Sequence, residues 1–303
     1  MKKSERIGNF FDKLAASLKS FVKIAVESRR SDGGKLQAPR DLPLIVMGNG
    51  PSLADTMATC ASQLDAFPLL AVNFAAISPE FRSLKPEYYV LADPHFFSGS
   101  DSENIRRLCN ELSRVDWPMT LFVPSRSLGA AKRLTAGNRS VTIATFNPVA
   151  VEGFEWLENA AFGTGAGMPR PRNVLIPSLM IAISLGYKVI YVAGADHSWM
   201  KTLEVTDDNT VVSVQPHFYT ESADEKARIT SVYKDIHLHE VIHSFYVAFR
   251  SYFVINRYAR SRGVEIFNVT PGSYIDAFER CNLAAVSVRP DATPSRRAEN
   301  TLP

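Results

Sequence analysis

The stretch Leu44-Ile45-Val46-Met47-Gly48-Asn49-Gly50-Pro51-Ser52-Leu53 decides how the chain reads. Four unbroken apolar residues are the length of a strand covered on both faces. Gly48 and Gly50 then permit a tight turn and close backbone approach, and Ser52 is placed to cap a following helix. Free amides at a helix N-terminus attract anions, so the turn is expected to hold the phosphate of a nucleotide. The bland alternative is a tight β-to-α turn with no ligand. A dinucleotide fingerprint would need glycine where Leu53 stands, and a Walker loop would need GK[ST]; neither is present.

Downstream, apolar runs of strand length alternate with segments of helical period. The expected strands are Leu44 to Met47, Leu69 to Phe74, Tyr88 to Ala92, Thr120 to Val123, Val141 to Thr145, Val189 to Ala193 and Val264 to Asn268. Helices are expected over Ser102 to Ser113, Ser127 to Ala136, Arg172 to Leu185 and about Leu238 to Arg262, where Gly263 supplies the stop. This alternation predicts an α/β fold with a doubly wound, mostly parallel, Rossmann-like sheet. Such a sheet binds its ligand at the C-terminal ends of the strands. Polar groups stand at three of those ends: Asn73, Asp93 with His95, and Asp196 with His197.

The chain has 303 residues, of which 46% are hydrophobic and 21% charged, and this excludes a disordered polyelectrolyte. Residues 1 to 40 carry ten cations against four carboxylates, a net of +6, leaving −3 for the remainder of a chain whose total is +3. In that basic arm Ile7, Phe10, Phe11, Leu14, Leu18, Phe21 and Val22 recur at three- and four-residue steps, the stripe of an amphipathic helix over residues 1–30. Two readings stay open: the stripe lies in an anionic leaflet, or it packs on the protein body or a second subunit of a homo-oligomer. Residues 31–43 read as a linker, 44–280 as the Rossmann-like domain, and 290–303 as a disordered tail. The sequence has neither a signal-peptide core nor a membrane-spanning run, so a cytoplasmic location is expected, at the inner face of the plasma membrane if the arm binds lipid. Cys60, Cys109 and Cys281 form no CxxC pair and read as reduced thiols.

Histidines are the natural general bases near neutral pH. His217, His237, His239 and His243 follow Asp196, and His239-Glu240-Val241-Ile242-His243 formally matches HExxH. A zinc hydrolase would need a third ligand and an open water position. The match stands in an α/β chain whose glycine turn calls for a phosphate ligand, and HExxH matches arise by chance, so no metal is expected.

Gly48-Asn49-Gly50-Pro51-Ser52-Leu53 with Asn73 resembles the nucleotide-binding half of the CMP-dependent bacterial sialyltransferases that decorate lipooligosaccharide. The run from Leu185 through Gly186-Tyr187-Lys188 to Gly194-Ala195-Asp196 is similar to their second landmark, and Asn268-Val269-Thr270-Pro271-Gly272-Ser273 to their final strand end. Similar landmarks occur in the DUF115 group, which includes motility accessory factors and archaeal hydroxymethylpterin diphosphokinases. The resemblance spans about residues 44 to 280. It implies a metal-independent, inverting glycosyltransferase of lipopolysaccharide or other surface glycan synthesis, with a nucleotide-sugar donor as co-substrate, no separate cofactor and a glycan or glycolipid acceptor. By that resemblance Gly48, Asn49, Gly50, Ser52 and Asn73 hold the nucleotide and a histidine among His217, His239 and His243 is the base. Tyr219 would hold the leaving phosphate, and Asp93 and Asp196 complete the binding set. Asp93 departs from the asparagine of the sialyltransferases. The alternatives are a pterin-type diphosphokinase using ATP and Mg²⁺, and a non-catalytic nucleotide-binding protein. No nucleic-acid partner is expected.

Overall fold

The computed structural model describes residues 3–32, 42–99, 102–213 and 236–288. An all-parallel eight-stranded sheet forms its centre. Its strands are β1 (Leu44–Met47), β2 (Leu69–Val72), β3 (Tyr88–Val90), β4 (Met119–Pro124), β5 (Val141–Phe146), β6 (Val189–Ala193), β9 (Glu265–Asn268) and β10 (Glu279–Arg280). Their order across the sheet is β10-β9-β6-β1-β2-β3-β4-β5. The winding therefore reverses at β1, which lies between β2 and β6. A small antiparallel hairpin, β7 (Leu203–Val205) with β8 (Val211–Ser213), stands apart from the sheet.

Strand side chains alternate between faces, and the core divides accordingly. Leu44, Val46, Leu70, Val72, Ile190 and Val192 belong to one buried cluster, and Ile45, Met47, Leu69, Ala71, Tyr191 and Ala193 to another. The first is covered by α7 (Glu155–Gly163), α8 (Leu175–Ser184) and α9 (Leu238–Ser261). The second is covered by α2 (Ser52–Thr59), α3 (Ala61–Ala66), α4 (Phe81–Leu84), α5 (Glu103–Ser113) and α6 (Leu128–Leu134). Burial on both faces explains why these strands are continuous apolar runs. Truncating one such residue, Leu44 for example, would cost about 2–5 kcal/mol.

Among the element boundaries that differ from the sequence reading, two have a clear local cause. β2 stops at Val72 because Asn73 takes a left-handed φ of 49° and opens a 3₁₀ turn over Asn73–Ile77. α8 starts at Leu175, not Arg172, because Asn173 Oδ1 accepts the amides of Leu175 (3.0 Å) and Ile176 (3.4 Å) at the helix's first turn. α9 closes at Arg262 and Gly263, as expected.

The N-terminal arm forms the expected helix. α1 (Lys3–Glu27) is a helix whose apolar stripe stays largely exposed, touching the described body only where Phe10 meets Phe154, while Ile24, off the stripe, packs against the core. The buried side chains of α1 are Ser17 and Ser20 instead. Ser17 Oγ accepts the amide of Phe154 (2.9 Å), while Ser20 Oγ accepts the amide of Glu152 (2.9 Å) and donates to its carbonyl (2.8 Å). A Cβ on Gly153 would stand 2.2 Å from Ser17 Oγ, so glycine is what allows the helix this close. Beyond α1, residues 29–32, which span the expected end of the helix and start of the linker, are tied to the sheet edge. Arg29 and Asn147 exchange two hydrogen bonds (3.0 and 2.8 Å), and Asp32 meets both the backbone and hydroxyl of Thr145 on β5. Residues 33–41 and the expected tail, 290–303, lie outside the described residues.

Candidate functional site

A cavity of about 760 Å³ opens at the C-terminal edge of the sheet, against the ends of β1 through β6. This is the size range of small-molecule sites, at the switch point where open α/β sheets bind ligands. Gly48, Asn49, Gly50, Asn73, Asp93 and Asp196 all line it, so most of the expected binding set converges. His95 and His197 line it as well.

The glycine turn works differently from the expectation. The N-cap of α2 is Pro51, and Ser52 is the first helical residue. Gly48 N donates to Ala193 O (2.8 Å), Gly50 N to Gly194 O (2.8 Å), and Leu53 N to Gly50 O (3.0 Å). The Asp196 carboxylate takes the Ser52 hydroxyl (2.8 Å) and amide (3.4 Å). The position at the helix N-terminus that a phosphate would occupy is thus filled by an internal anion, a placement the helix dipole favours. Ser52 is thus not the cap of α2 that the sequence suggested; its hydroxyl is the partner of Asp196. Gly50 is required here because a Cβ would lie 1.9 Å from Asp196 Oδ2.

The unsatisfied groups lie across the crevice. Asn49 Nδ2 donates to Val72 O (3.1 Å), which fixes the amide and leaves its Oδ1 buried with no partner. Asn73 Oδ1 and His95 Nε2 are likewise buried and unpartnered. Of the six such atoms among the described residues, three belong to residues lining this cavity. A buried polar group without a partner costs about 1–3 kcal/mol, and three of these stand on residues around one cavity. Asn73 is also conformationally forced. Its carbonyl accepts the Tyr89 hydroxyl, which in turn accepts the Ala76 amide (2.9 Å), and this holds φ at 49°. His95 is positioned by Asp93, whose Oδ1 accepts the His95 amide (2.8 Å).

His197 forms the opposite wall. It is buried, has φ of 50°, and stacks on Trp199 with ring centroids 4.2 Å apart. The Tyr252 hydroxyl donates to Asn173 Oδ1 (3.0 Å), leaving its oxygen to accept from Nε2 of a neutral His197 (2.6 Å). Burial pushes the His197 pKa down to about 3 and the Tyr252 hydroxyl upward. Among the described residues, two of the five non-glycine residues at positive φ, Asn73 and His197, thus line the cavity. Such strain persists only where the surroundings impose it.

His239 and His243 are exposed at the start of α9 and do not line the cavity. Glu240 between them accepts the His237 amide (2.9 Å) in a capping box, which gives the HExxH match a structural explanation. No cluster of three metal-ligating side chains occurs among the described residues. His217 and Tyr219 lie outside the described residues. The sequence reading missed Arg126 and Arg172, the cations on the cavity wall. Arg172 fell inside an expected helix, whereas it lies just ahead of α8; nothing local marked Arg126.

No family model matches the sequence, and no curated protein matches it. Among solved structures the chain is similar to the MAf glycosyltransferase from Magnetospirillum magneticum AMB-1, with 14% identity and a TM-score of 0.49, over 94% of this chain and 40% of that one. The chain thus spans about two fifths of the length of that protein.

Proposed function

We propose that the protein is a glycosyltransferase that takes a nucleotide-activated sugar, CMP-linked by the motif resemblance, into the crevice at the β1 switch point. The observation that carries this reading is the set of three unpartnered polar atoms, on Asn49, Asn73 and His95, around one cavity of ligand size. The two amide oxygens suit the hydroxyl and amino donors of a nucleoside, and Asp93 suits ribose hydroxyls. Arg126 and Arg172 supply positive charge for a departing phosphate, the role a metal would otherwise take.

The step assigned to the site is displacement at the anomeric carbon. The acceptor oxygen forms the new bond as the carbon–phosphate-oxygen bond breaks, and the acceptor proton passes to a base. Of the histidines on the cavity wall, His95 has a free ring nitrogen and His197 is held neutral within a hydrogen-bonded chain, so His95 is assigned the base. Attack opposite the leaving phosphate inverts the anomeric centre. The acceptor class is a hydroxyl of a bacterial surface glycan or glycolipid.

Calorimetric titration with CMP, UDP, GDP and ATP, with and without chelator, tests the reading. CMP binding that chelator leaves unchanged is the expected result. ATP binding that requires Mg²⁺ would favour the diphosphokinase instead, and absence of binding by all four nucleotides would overturn nucleotide use.

A further inference from the structure

We propose that α1 is an interfacial helix that seats the protein on an anionic lipid surface, with the mouth of the cavity beside that surface. The proposal stands apart from the donor chemistry above. At 100° per residue the large apolar side chains from Ile7 to Val26, apart from Ile24, which packs against the core, fall within an arc of about 160° on a helix about 37 Å long. All of those on the arc are exposed: Phe11, Leu14, Phe21, Val22 and Val26 among them, with Leu18 at 62% and Phe21 at 64%. A surface helix of a water-soluble fold ordinarily turns such a stripe inward; this one turns its serines inward.

The orientation is set by specific bonds. Ser17 and Ser20 are tied to the backbone of residues 152 and 154, and Gly153 admits the helix at a distance no other residue allows. Rolling the stripe onto the body would break those bonds and the Phe10–Phe154 ring contact at 5.5 Å. The apolar arc is therefore presented outward by construction.

Charge selects the occupant. Lys19 and Lys23 flank one side of the arc and Lys13 the other, with Arg29 and Arg30 just beyond the helix, against Asp12 and Glu27. Two copies pairing through α1 would bring these surplus cations together, whereas an anionic leaflet neutralises them. The helix ends at the cavity: Glu27 lines it, and Arg126 donates to the carbonyls of Val26 (3.4 Å) and Glu27 (3.3 Å). A protein lying on its α1 face presents that opening next to the lipid headgroups.

The test is co-sedimentation of the full chain with phosphatidylcholine vesicles, with and without phosphatidylglycerol, beside a light-scattering mass in solution. Expected is binding that depends on phosphatidylglycerol and weakens with salt. Leu18→Glu with Phe21→Glu should lower partitioning by about tenfold or more, with an unchanged thermal melt of the body. Lys13→Glu with Lys19→Glu, at exposed positions, should remove the preference for anionic lipid. No sedimentation of the intact chain, equal binding to neutral vesicles, or a dimer that the Leu18/Phe21 pair dissolves would each overturn the proposal.

Discussion

Protonation of His197 should be a main reason this fold weakens in acid. The ring is 8% exposed, its Nε2 is committed to Tyr252, and burial lowers its pKa from 6.5 to about 3. Between those two values the unfolded chain binds a proton that the folded chain refuses. Stability is therefore lost as pH falls below 6.5, and the loss from this group ends near pH 3. The slope is about 1.4 kcal/mol per pH unit, so at about pH 4.5 the loss from this side chain alone is roughly 3 kcal/mol. His197→Asn tests it, since asparagine tolerates a left-handed backbone and does not titrate. At neutral pH the variant should be the less stable protein, having lost the Trp199 contact and the Tyr252 bond. Urea unfolding across pH should then show wild type and variant converging in acid, by roughly 3 kcal/mol. Parallel curves would refute a buried neutral His197.

Gly50→Ala should drive the Asp196 carboxylate off Ser52 and destabilise the protein by about 3 kcal/mol, the worth of two hydrogen bonds to a charged group; a change within the range of ordinary surface substitutions would show that Asp196 is not held there. Asn49→Ala should weaken nucleotide binding by about tenfold, one hydrogen bond's worth, and Asn73→Ala by at least as much, because alanine must also adopt the left-handed turn. Identical titration curves for wild type and both variants would remove these residues from the site. His95→Ala should cut turnover by about 10²- to 10⁴-fold with donor affinity unchanged, while His239→Ala and His243→Ala stay near wild type; the reverse pattern in a transfer assay would move the base to α9.

The centre of the sheet was legible in the sequence because β1, β2 and β6 are unbroken apolar runs, and the turns that line the cavity begin where those runs end. What escaped was whatever tertiary contact decides. β10 is two charged residues, Glu279 and Arg280, whose only strand credential is the neighbouring β9. The role of Ser52 depended on Asp196, 144 residues away. The arm was read as an amphipathic helix, but which face docks is written in two serines and Gly153, none of which has an apolar signature. The convergence of Asn49, Asn73 and Asp93 followed from strand-end reasoning, whereas choosing among six histidines required knowing which walls face one another.

The contact between Asp32 and Thr145 has a practical bearing. β5 is the last strand of the sheet, and an unguarded outer strand is a template for pairing with another molecule. Asp32 takes up both the amide and the carbonyl of Thr145, so the segment that follows α1 works as a hem sewn over that border. Trimming the polypeptide back to the first strand would unpick the hem. The trimmed protein's new tendency to stick to itself would then say nothing about lipid, which is why single-side-chain changes, rather than shortened chains, suit the study of α1.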